Sequence, residues 1–87
     1  MKKNDFINWV EQIIKERVAL KLQMHLASME AKEEFERAEK KWNRLKAKAS
    51  EVMSETVEFP EKHISKAMII GEELKETYQR IGKRLPA

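Results

Sequence analysis

Val18-Ala19-Leu20-Lys21-Leu22-Gln23-Met24-His25-Leu26-Ala27-Ser28-Met29-Glu30 is the stretch on which the fold of this 87-residue chain turns. Its strong helix formers place apolar side chains on two faces of one helix, and a helix apolar on two faces is stable in water only when both are covered. Two arrangements can cover them. In the first, the helix continues through Ala27–Glu30, and its N-terminal half overhangs the rest of the chain until partner copies bury it. In the second, the chain bends near Ser28 and folds back on itself. Ser28 followed by Glu30, Glu33 and Glu34 has the pattern of a helix start, where a hydroxyl caps and acids complement the dipole. Tight reversals between helices usually use glycine or proline, and the sequence has neither from Met1 to Phe59. On that ground we expect the continuous helix and an oligomer, with a monomeric three-helix bundle as the alternative.

Downstream the spacing is more regular. Ala31, Phe35, Ala38, Trp42, Leu45, Ala49 and Val52 advance in steps of four and three, as do Ile64, Ala67, Gly71, Leu74, Tyr78, Ile81 and Leu85. Both are heptad seams. Between them, Ser54–Glu61 mixes β-branched residues with Pro60, a helix-starting position. The chain therefore reads as all-α: a helix over about 4–54, a loop over about 55–60 and a helix over about 61–82, the two helices antiparallel. Pairing Val52 with Ile64 sets Leu45 against Gly71 and Trp42 beside the notch that Gly71 leaves.

Upstream, Phe6, Trp9, Val10 and Ile13 crowd one side of the first helix while Asn8, Glu11, Gln12 and Lys15 occupy the other. With Leu20 and Met24 they form the expected interface with a second copy or another protein. Met68, Ile69 and Ile70 make one turn of the last helix apolar nearly all round and belong to the same candidate surface.

Composition restricts the chemistry. There is no cysteine, so neither a disulfide nor a thiolate site exists. Asp5, the single aspartate, is best placed as a cap of the first helix. His25 and His63 have no metal-ligand partner at helical spacing, and the glutamates fall outside the seams, within reach of Lys32, Arg37, Lys40 and Lys41 as solvated ion pairs. Neither a catalytic constellation nor a cofactor or metal site is expected. No apolar run reaches the ~18 residues of a membrane span, and no leader is recognisable at the N-terminus, so a cytoplasmic protein is expected.

The charged residues, 38% of the chain, leave a net charge of only +3. Residues 1–29, 30–59 and 60–87 carry +2, −1 and +2. Within the middle segment, Lys40, Lys41, Arg44, Lys46 and Lys48 lie together without an acid, and they are the candidate contacts if the partner is nucleic acid. The leading expectation is a small non-enzymatic interaction protein, an adaptor, regulator or assembly subunit, that self-associates through amphipathic helices, a dimer first. Replacing Trp42, the expected anchor of the hairpin, by Ala should cost ~3–5 kcal/mol. A melting temperature within a degree or two of wild type would mean that the hairpin register is wrong.

Overall fold

A computed structural model describes residues 2–54 and 60–85, and every described element is helical. Helix α1 spans Lys3–Gln23 and leads into a 3₁₀ turn over Met24–Leu26; α2 spans Met29–Met53 and α3 spans Pro60–Arg84. The bundle measures 44 × 19 × 16 Å. The expected loop over about 55–60 lies outside the described residues except for Pro60, with which α3 begins. The last helix also runs on through Gly82.

The first helix is not continuous. It stops at Gln23, and the chain reverses through Ala27 (φ −82°, ψ 153°) and Ser28 (φ −66°, ψ 164°). Both are extended conformations that any L-residue adopts, so the turn needs no glycine and no positive φ. This is why the absence of Gly and Pro was a misleading guide. The Ser28 hydroxyl accepts a hydrogen bond from the Ala31 N–H at 3.2 Å, capping α2 as its acidic first turns suggest. Asp5 does not cap α1: the N-cap is Lys2, without a side-chain bond, and Asp5 lies in the first turn.

The two seams of α2 and α3 meet as expected. Ala31, Phe35, Ala38, Trp42, Leu45 and Val52 are buried against Ile64, Ala67, Leu74, Tyr78 and Ile81. Glu34 reaches Arg80, Phe35 stacks on Tyr78 and Glu51 lies by His63, a register within three residues of the expected pairing. Folding back places α1 against this hairpin, chiefly on α3. Phe6, Val10, Ile13 and Leu20 therefore sit in the chain's own core, with Trp9 and Met24 packed against it, and no partner copy is needed to cover them.

The notch at Gly71 is filled by Trp9, not by Trp42. A Cβ at Gly71 would overlap the outer edge of the Trp9 ring. Trp42 points instead toward α1 and lies beneath the Arg17 guanidinium, 5.4 Å from the ring centre. In an open helix Gly→Ala gains ~1 kcal/mol, but here the methyl meets an indole. Gly71→Ala should therefore destabilise the protein by ~1–3 kcal/mol, read as a fall of ~4–8 °C in melting temperature per kcal/mol. In a double-mutant cycle with Trp9→Ala the two losses should be strongly non-additive. A Gly71→Ala protein that melts at or above the wild-type temperature would remove Trp9 from this site.

Candidate interaction surfaces

With Phe6, Val10, Ile13 and Leu20 inside, the exposed apolar surface is a different set. Ile14, Val18 and Leu22 recur every fourth residue along the outer edge of α1, and Leu26 and Met29 extend the row through the reversal into α2. Their exposures are 38%, 46%, 71%, 58% and 73%. Alongside the row, between the first half of α1 and the last turns of α2, runs a groove of about 450 Å³ lined by Val10, Ile14, Trp42, Lys46, Ala49 and Met53. It continues toward the N-terminus past Phe6 and Ile7. The groove exists because α1 leans on α3 and meets α2 closely only further along.

That meeting is polar. Arg17 on α1 donates two hydrogen bonds to Glu39 on α2, Nε to Oε1 at 2.8 Å and Nη2 to Oε2 at 2.7 Å, while its guanidinium covers the face of Trp42. A planar fork on a carboxylate is the strongest form of this bond. Tyr78 approaches from α3, where burial pushes its phenol above the ordinary value. The Tyr78 hydroxyl and Oε2 of Glu16 are buried without a hydrogen-bond partner among the described residues.

A second ionic cluster ties α2 to α3. Glu34 is nearly buried and accepts from Arg80 Nε and Arg84 Nη1, each at 2.7 Å. Arg80 foremost, then the nearby Arg84 and Arg37 charges, hold the Glu34 carboxyl below the usual carboxylate range against its burial.

The sequence candidates divide. Met68 and Ile70 are partly buried against the core, whereas Ile69 is 64% exposed on the outside of α3. The five basic residues do not share one face. Lys46 looks toward α1 and lines the apolar groove, Lys41 pairs with Glu73 and Lys48 with Glu51, and Lys40 and Arg44 point outward on the far side. His25 lies at the reversal, its Nδ1 2.9 Å from the Leu22 carbonyl oxygen, and His63 lies at the other end of the bundle. Among the described residues no group of three or more His, Asp or Glu side chains could hold a metal, and no helix is long and apolar enough to cross a membrane.

Glu34 makes stability depend on pH in a defined direction. Its native pKa lies below the unfolded value of about 4.3, so its contribution is complete above that value and is lost as pH falls through the lower native one. Glu34→Gln should melt below wild type at pH 7, and the gap should close as the pH is taken well below 4. A gap of constant size would assign Glu34 a packing role only.

Comparison with protein-family models, with curated proteins and with solved structures finds no match to this chain in any of the three.

Proposed function

We propose that this chain is a small helical interaction protein that self-associates through the outer edge of α1, one copy's apolar row seated in the α1–α2 groove of the other. The observation that carries the reading is the set of exposed apolar residues Ile14, Val18 and Leu22 along α1, with Leu26 and Met29 at the reversal, beside a groove of the same apolar character. A ridge and a groove side by side on one chain are what a two-fold interface uses, because each copy supplies both halves of the contact.

The magnitudes favour a weak dimer. Complete burial of a large apolar side chain is worth ~1.5–3 kcal/mol. At the observed exposures, five such side chains on each of two copies amount to about six complete burials, roughly 9–17 kcal/mol. Association itself costs ~4–15 kcal/mol. The two quantities are of similar size, so the net is small and the dimer is a weak one.

Light scattering on a sizing column, across a hundredfold dilution, should show a dimer at the upper end giving way to monomer at the lower. Val18→Glu with Leu22→Glu should leave a monomer of unchanged helicity at every concentration, since both residues stand outside the core. A wild-type protein that remains a compact monomer throughout would overturn the proposal.

A further inference from the structure

Two runs without a carboxylate, residues 40–50 on α2 and 62–71 on α3, are far apart in sequence and adjacent in space. The pairs Lys41–Glu73 and His63–Glu51 fix their alignment across the seam. On the side of the hairpin turned away from α1, this brings Lys40, Lys41, Arg44, Lys48, Lys62 and Lys66 onto one surface. Glu73 and Glu51 pair with Lys41 and Lys48 at its margins, and Glu34 lies near Arg37 beyond its α2 end. Lys40, Arg44 and Lys66 are exposed and make no salt bridge among the described residues. Along α2 the row continues to Arg37, so that Arg37, Lys40, Arg44 and Lys48 place a cation at each turn over ~17 Å, at 1.5 Å per residue.

We infer that this outer face of α2 and α3 binds the phosphate backbone of a nucleic acid. A chain of net charge +3 has gathered six cations on one side, with Lys40, Arg44 and Lys66 in no salt bridge among the described residues, and left most of its carboxylates elsewhere, which is the electrostatic footprint of polyanion binding. A row with one cation per turn suits a linear polyanion that the cations meet from one side. An acidic protein is the poorer fit: the centre of a protein interface is poor in Lys and rich in aromatic anchors, and here the apolar content is Ile69 with its partly buried neighbour Ile70. With no groove-reading motif present, the binding is independent of base sequence and is carried by counterion release. It is also independent of self-association, because the α1 edge lies on the other side of the hairpin.

The test is fluorescence anisotropy of a 20-base-pair duplex titrated with the full chain at several salt concentrations between 50 and 200 mM. Neutralising about four phosphates gives a slope of roughly −3.5 for log K against log salt. The variant carrying Lys40→Gln, Arg44→Gln and Lys66→Gln should bind at least tenfold more weakly with a shallower slope. A control carrying Lys3→Gln, Lys15→Gln and Lys32→Gln has the same net charge and should lose no more than about threefold, the long-range part of the field. Circular dichroism checks the fold of each, and Arg44→Gln alone serves as the second variant, expected to lose two- to fivefold. Absence of binding by wild type at 50 mM salt would overturn the inference, as would equal losses in the patch variant and the control. Polyglutamate competing as well as the duplex would overturn it too, and would point to an acidic protein instead.

Discussion

The reversal between Met24 and Ser28 is the constraint on which the rest depends. An α1 that carried on in line with α2 would leave Phe6, Val10, Ile13 and Leu20 in water, and a chain of this length has no second layer to cover them. Two extended residues and one serine cap turn α1 back onto α3. Three further features follow from that placement. The Trp9 indole finds the space at Gly71, Arg17 comes within reach of Glu39 and Trp42, and the side of α1 left uncovered is reduced to Ile14, Val18 and Leu22.

The three helix–helix contacts are held by different physics. Between α2 and α3 an apolar seam does the work, reinforced at one end by a carboxylate taken out of water and held by two guanidinium groups. Only the carboxylate is buried, since Arg80 and Arg84 are about half exposed, so losing the arginines strands a charge whereas losing Glu34 leaves the guanidinium groups in water. Between α1 and α3 apolar burial is combined with a steric fit, the Trp9 ring against the Gly71 backbone. Between α1 and α2 it is one bidentate ion pair with an aromatic floor, and elsewhere the two helices stand far enough apart to leave the groove. The position of that groove is thus set by where Arg17 sits on α1.

The α2–α3 hairpin was legible in the sequence because heptad spacing is a periodic signal repeated over many turns: Phe35, Leu45, Leu74, Tyr78 and Ile81 are all buried where their spacing puts them. The break in the first helix was harder to read. Ser28 with its trailing glutamates was a local signal for it, but the missing glycine argued the other way, and only backbone angles show that Ala27 and Ser28 turn the chain without one. Part of the candidate interface moved inward for the same reason. Once α1 folds back, Phe6, Val10, Ile13 and Leu20 become core, and the exposed row is the neighbouring one at Ile14, Val18 and Leu22. Glu34 with Arg80 and Arg84, 46 and 50 residues apart, carries no sequence signature at all. Nor does the meeting of two acid-free runs, which depends on the register of the hairpin.

The unequal fastening of the three helices has a consequence for how the molecule breathes. Releasing α1 alone gives up the Arg17–Glu39 bonds and the burial of a handful of side chains, while the longer α2–α3 seam stays closed. Amide hydrogens of α1 therefore exchange through a partial opening that costs less than global unfolding, whereas those at the centre of α2 and α3 exchange only when the whole chain opens. The protein thus behaves as a stable hairpin carrying a helix of lower local stability, and the edge proposed for self-association belongs to the part that opens most readily.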